Sequence, residues 1–211
     1  MRNLIVGSIR FSLVSWVLCG IVYPLTATVL AQALLRFQAN GSLVKKADGT
    51  VIGSLLIGEN WTDPLWFHGR PSATTAADST NPEMTTAAPY NASGSGGSNL
   101  GPTSQVLWRR LWTERHRLEL SQPALSLEKL PADMLTTSAS GLDPDISVAN
   151  AMLQAQRVAA VRGLPEEELR SLIEAHIIGR DLGVFGEPRV NVLELNLALE
   201  SGTRKGRHFP P

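Results

Sequence analysis

The sequence predicts an α+β fold: one N-terminal transmembrane helix followed by a single compact extracytoplasmic domain of mixed helix and strand. Three observations predict it. Residues 11–35, reading FSLVSWVLCGIVYPLTATVLAQALL, carry no charged side chain. Two later stretches, 148–162 and 166–176, repeat apolar residues at helical spacing between recognisable caps. Short apolar runs at 42–57 and 189–193 are broken by Gly, Asn and Asp in the manner of strands and turns.

The uncharged run is long enough to span a bilayer. A helix rises about 1.5 Å per residue and the hydrocarbon is roughly 30 Å thick, so about 20 apolar residues suffice. A secretory signal has an apolar core of only about 7–15 residues before a small-residue cleavage site. Ala31-Gln32-Ala33 has that look, yet Phe11–Leu30 is longer than such a core needs. The segment is therefore read as a retained anchor. Arg2 and Arg10 precede it and Arg36, Lys45 and Lys46 follow, so the positive-inside count is nearly even. Residues 1–10 are too short to fold, and the bulk of the chain comes afterwards; this favours a cytoplasmic tail and an outer domain over 36–201. Ser8, Ser12, Ser15 and Cys19 recur at steps of four, three and four, placing small residues on one stripe that suits close approach of a partner helix.

The chain has 19 basic and 19 acidic side chains. With Arg2, Arg10 and Arg36 set aside, 16 basic face 19 acidic residues in the remainder. That balance offers no basic field to a nucleic-acid backbone. The single cysteine lies in the span, so the outer domain must be held by its core and not by a disulfide.

Along that domain, Asn40-Gly41 ends the helical run, and Ser42–Val44 and Val51–Ile57 flank a turn at Asp48-Gly49. Trp61, Trp66 and Phe67 bracket Pro64 and are expected to anchor a loop on the core; a stacking platform for a ligand is the rarer reading. Residues 72–105 are rich in Ser, Thr, Ala, Asn, Gly and Pro and read as a long loop, mobile over 72–100. Leu100-Gly101-Pro102 opens a helix with Val106, Leu107, Leu111 and Leu118 on an apolar side and Arg109, Arg110, Arg115 and Arg117 on a charged one. Pro131–Leu135 reads as one helical turn. Ser147 is the expected N-cap of a helix ending at Arg162 before Gly163, and Pro165 with Glu166, Glu167 and Glu168 starts the next. His176 shares that helix's inner face, the ordinary place of a satisfied half-buried histidine. Arg189–Leu193 reads as a strand, Glu194–Glu200 as strand or helix, and 202–211 as a loose tail.

Catalytic motifs fail one by one. Gly96–Thr103, GGSNLGPT, matches a phosphate-binding loop except that Pro102 replaces the lysine that would hold the charge. Ser42-x-x-Lys45 and Ser126-x-x-Lys129 match S-x-x-K without the accompanying motifs of a serine hydrolase. His68, His116, His176 and His208 lack metal-ligand spacing, and Asp143-Pro144-Asp145 is ordinary turn chemistry. No metal site and no cofactor of its own are expected.

Five stretches nevertheless resemble one family, in its order and over nearly the whole chain: FHGRPSA (67–73), SGGSNLGP (95–102), SASGLDPDIS (138–147), QRVAAVRGL (156–164) and EPRVNVLELNLAL (187–199). They are similar to the KdpC family, the C subunits of bacterial Kdp potassium-transporting ATPases. Departures at Thr74–Ala88 and beyond Glu200 miss every motif. The resemblance implies a non-catalytic accessory subunit of a high-affinity, ATP-driven potassium uptake complex in the bacterial inner membrane. The implied partners are the lipid bilayer, a channel-like A subunit, a P-type ATPase B subunit and a small F subunit. Contact candidates are the Ser8, Ser12, Ser15, Cys19 stripe, Arg70, and the loop residues Ser98, Asn99, Gly101 and Pro102. The family is also described as a nucleotide-binding catalytic chaperone, which would place ATP near Gln154. The alternative for Gln154 is a polar helix residue beside Ala155 and Val158.

Overall fold

The structure is a computed structural model and describes residues 1–46, 48–81, 83–121 and 130–204. Contacts divide the chain into two compact units, Met1–Ile52 and Gly53–Pro211.

The first unit is a long helical rod. Helix α1 (Arg2–Val17) passes through one π-helical turn at Leu18–Val22 into α2 (Tyr23–Leu34), with a short α3 (Arg36–Ala39) after it. The rod begins at Arg2, well before the uncharged run, and at about 1.5 Å per residue its 33 residues reach roughly 50 Å. None of its side chains is buried. The π turn lies just ahead of Pro24, whose ring lacks an N–H and crowds the carbonyl four residues back, at Gly20; widening that turn relieves the crowding. Strands β1 (Leu43–Lys45) and β2 (Val51–Ser54) then pair around the expected turn, where Asp48 accepts the Thr50 N–H at 2.8 Å and Gly49 takes φ +87°.

The second unit holds a three-stranded antiparallel sheet, β5 (Asp145–Ser147), β7 (Arg189–Asn191) and β6 (Ile177–Ile178), with β7 in the centre. Ile146 and Ile177 both face Val190 across the ladder. Helices α5 (Val148–Arg162), α6 (Glu166–Ala175) and α7 (Val192–Arg204) complete the core. Ala151, Ala155 and Val158 of α5, Leu169 and Ile173 of α6, and Leu195 and Leu199 of α7 are all fully buried there, together with Phe67. Small alanines on α5 let the neighbouring helix approach; the larger residues fill the space opposite.

The expected caps are present. Ser147 Oγ accepts the Asn150 N–H at 3.1 Å, and Gly163 ends α5 in the left-handed region at φ 64°. Glu166 pairs with Arg170 one turn along α6. His176 closes α6 with Nδ1 against the Leu172 carbonyl at 2.7 Å.

Four expectations are revised. The run after Asn191 is helical: the Asn191 carboxamide accepts the Glu194 N–H at 3.1 Å and caps α7, cutting the strand to Arg189–Asn191. That helix extends to Arg204, so the first residues of the expected tail are helical; 205–211 lie outside the described residues. The 72–105 stretch is not plain loop, since β3 (Thr75–Ala77) and β4 (Thr85–Ala87) pair antiparallel within it. On α4 (Gln105–Ser121) Val106 points outward at 59% exposure while Arg110 is half-buried, because the inner face is centred on Leu107, Leu111 and Leu118 and the position of Arg110 borders it.

Candidate functional site

The site is built on the segment Asp63–Ala73, which has no regular structure and whose carbonyls from Pro64 to His68 are met by side chains of distant helices. Every carbonyl from Pro64 to His68 is taken. Arg157 donates to Pro64 and Trp66, Arg162 to Leu65, Asn196 to Phe67 and Gln154 to His68. Two of these contacts are reciprocal. Asn196 accepts the Phe67 N–H at 2.9 Å and donates back at 3.0 Å; Gln154 accepts the His68 N–H at 2.8 Å and donates back at 2.9 Å. A carboxamide that offers one donor and one acceptor side by side mimics a neighbouring strand, and two successive residues are held this way from opposite helices. Trp66 lies under the Arg162 guanidinium, 4.4 Å from ring centroid to Cζ, and tilts against Trp61 at 5.3 Å.

Gln154 is 3% exposed and its amide is saturated. Its oxygen accepts from the His68 N–H and from Arg157 at 2.8 Å; its nitrogen donates to the His68 carbonyl and to Asn150 Oδ1 at 2.8 Å. Asn150 in turn donates to Asp133, whose carboxylate also accepts the Ser147 N–H and hydroxyl at 2.8 and 2.9 Å. One polar chain thus runs from the 3-10 turn Ala132–Met134 through the start of α5 to the His68 backbone.

Beyond His68 three loops converge. Arg70 donates to Asp143 at 2.9 Å and to the Thr137 carbonyl at 3.3 Å, while the Tyr90 hydroxyl donates to the Arg70 carbonyl at 2.7 Å. Ser72 donates to the Gly141 carbonyl at 2.7 Å and accepts the Tyr90 N–H at 3.0 Å. The Gly96 N–H reaches the Ser140 carbonyl at 2.8 Å, and Thr137 contacts the Ser98 hydroxyl at 3.4 Å. Gly141 requires its lack of a Cβ: at φ +67° an added carbon would sit 2.7 Å from the Gly96 carbonyl oxygen.

A cleft of about 420 Å³ opens beside this junction, with Trp61, His68, Arg70, Tyr90, Arg117 and Gln154 among its walls. Burial lowers the His68 pKa and the neighbouring Arg157 charge lowers it further; the ring's Nε2 faces the Asp63 carbonyl at 3.0 Å and therefore carries the proton. Burial, then Asp143, pushes the Tyr90 phenol up to about 12, and burial draws Arg157 down to about 10. Trp61 Nε1 and Arg70 Nε are buried without a hydrogen-bond partner among the described residues, so these two cleft residues retain donor capacity for an acceptor group.

The structure brings Arg70 and Ser98 onto a shared neighbour, Thr137, and leaves Asn99, Gly101 and Pro102 exposed on the same loop. Ser8, Ser12 and Cys19 are exposed on the rod and Ser15 is partly so; Ser8 and Ser12 border a shallow groove with Leu13 and Trp16. Ser42 of the first S-x-x-K match is buried at 3% exposure, and Ser126 and Lys129 of the second lie outside the described residues.

A model of the family described as "KdpC: K+-transporting ATPase, c chain" matches residues 5–201, from within α1 to within α7. The chain belongs to the KdpC family. It is 54% identical over 183 residues to a "Potassium-transporting ATPase KdpC subunit" of Methylobacterium nodulans, covering 87% of this chain and 89% of that one. It is 51% identical to proteins of the same name from Rhodopseudomonas palustris, over 90% and 92% of the two chains, and from Bradyrhizobium diazoefficiens, over 92% and 94%. The five motif stretches that resemble KdpC sequences are thus the ones that meet in space or form the helices clamping them. Sequence reasoning missed Asn196, Asn150, Asp133 and Tyr90. Only Asn196 had a signal, as a polar residue among the apolar repeats of NVLELNLAL.

Proposed function

We propose that this KdpC-family chain is a non-catalytic accessory subunit of an ATP-driven potassium uptake complex of the bacterial inner membrane. Its rod spans the bilayer with the N-terminus inside and packs the Ser8 stripe on the channel-like A subunit. Its domain, on the periplasmic side, covers that subunit's mouth and stabilises the assembly with the P-type ATPase B subunit and the small F subunit. The names of its relatives support the complex. The observation that carries the accessory role is the saturation of Gln154: its two donors and two acceptor sites are all used by His68, Asn150 and Arg157. A side chain so placed holds the motif loops in shape, and Asn99, Gly101 and Pro102 stand outside it, open to another surface.

The test is to replace Asn99–Pro102 with a Gly-Ser loop of equal length in the full complex. Loss of co-purification with the channel-like subunit, and loss of growth at limiting potassium, are expected with the domain still folded. Normal assembly and uptake would overturn the contact assignment. Saturable binding of an ATP analogue by the full chain, abolished by Gln154→Ala while the domain stays folded, would establish the nucleotide-chaperone reading instead.

A further inference from the structure

Among the described residues, one face of helix α4 is uncovered. Trp108 and Trp112, one turn apart, are 66% and 68% exposed, and His116 stacks on Trp112 with ring centroids 5.3 Å apart. At 100° per residue Arg115 and Arg109 fall on the two borders of this stripe, which lies about 120° around the helix from Leu107, Leu111 and Leu118. Both arginines are exposed and neither has an acidic partner among the described residues, whereas Arg117 pairs with Glu114 and His116 with Glu119.

We propose that this face lies on the lipid surface, the two indoles at the headgroup level and Arg109 and Arg115 on anionic phosphates. An indole is apolar in its body with one N–H to keep wet, which suits the boundary between headgroup and acyl chain. Arginine stems lie along apolar surface while their heads reach outward to phosphate. A protein hot spot would need a surrounding ring that shuts out water; here the stripe is narrow, carries an arginine on each edge and has its own carboxylate, Glu119, drawn to His116 at 3.4 Å, which fits a yielding sheet of headgroups. The same chain carries the uncovered apolar rod Arg2–Leu34, so encounter with the bilayer is intramolecular and weak contacts suffice. This rests on the rod standing in a bilayer and not on any role in potassium transport.

The full chain, with Cys19→Ser and Trp112→Cys carrying an environment-sensitive fluorophore, is placed in nanodiscs of phosphatidylcholine alone or mixed with phosphatidylglycerol. Ser79→Cys, an exposed position on the β3–β4 turn, serves as the control. The label at 112 is expected to shift to the blue and to be quenched by headgroup nitroxide lipid several-fold more than the label at 79. The effect should grow with phosphatidylglycerol and fall when Arg109→Glu and Arg115→Glu are added. Water-like emission at 112 in both lipids would overturn the proposal, as would a blue shift that appears only after assembly with other subunits, which would assign the face to a protein.

Discussion

Two segments of the domain without helices solve the same backbone problem in opposite ways. Pro64–His68 has its carbonyls met by Arg157, Arg162, Asn196 and Gln154, residues some 86 to 129 positions away. Thr74–Ala88 closes on itself: β3 pairs with β4, and Asp78 accepts the N–H groups of Thr80 and Asn81 at 2.7 and 3.1 Å. The first segment exists only when α5 and α7 are already packed. The second carries its partners with it. A loop of the first kind transmits any disturbance of the core to the motif junction at Arg70, while a loop of the second kind can vary in length without consequence. One KdpC-like motif, FHGRPSA (67–73), begins in the first segment and two others supply Arg157, Arg162 and Asn196 to hold it, whereas Thr74–Ala88, the stretch that departs from the family pattern, is the second.

The sharpest way to break that contrast is Asn196→Ala. Asn196 is fully buried, and its loss strands the Phe67 N–H and carbonyl in the core. At ~1–3 kcal/mol per buried unpaired group, a destabilisation of about 3 kcal/mol follows. For a domain of this size that is a fall in melting temperature of roughly 6–12 °C, read by circular dichroism on the full chain. An unchanged melting temperature would show that the carboxamide clamp does not hold the segment.

A smaller effect follows from His68 on the same segment. Its folded-state pKa is below the ordinary value of 6.5, burial being the main cause. Between those two values the unfolded chain binds a proton that the folded chain refuses, so stability is full above neutrality and declines as pH falls through 6.5. His68→Gln keeps a side-chain donor for the Asp63 carbonyl and removes the titration. Its urea-unfolding midpoint should be flatter than the parent's between pH 7 and 5; parallel curves would assign the pH dependence to another group.

The smallest effect belongs to the second segment. Replacing Thr75–Ala87 by a short Gly-Ser turn, with Thr74 and Ala88 kept for their hydrogen bond at 2.6 Å, should shift stability by less than about 1 kcal/mol. A loss as large as that of Asn196→Ala would mean that this hairpin, too, supports the junction.

What was legible in the sequence is whatever short-range chemistry decides. The rod follows from an uncharged run. Helix α5 follows from Ser147 at one end and Gly163 at the other, and α6 from Pro165 and its three glutamates. The five motif stretches also identify the family before any contact is known. Helix α7 was half legible: Val190, Val192 and Leu193 look like a strand, and only the Asn191-x-x-Glu194 cap, a weaker signal than the apolar run, marks the switch. The direction of Arg110 on α4 was not legible, since it follows Arg109, which faces water, and nothing in the pattern separates the two.

By itself the sequence determined the apolar N-terminal rod, the capped helices and the membership of the KdpC family, because each depends on residues within a turn or two of one another or on motifs in order. Tertiary structure alone decided that Gln154 and Asn196 grip adjacent residues of a distant loop, that Arg70, Ser98 and Gly141 share one junction, and that Trp108 and Trp112 stand uncovered. A side-chain amide pairs with whatever backbone the packed helices bring beside it, and no local pattern encodes which backbone that is.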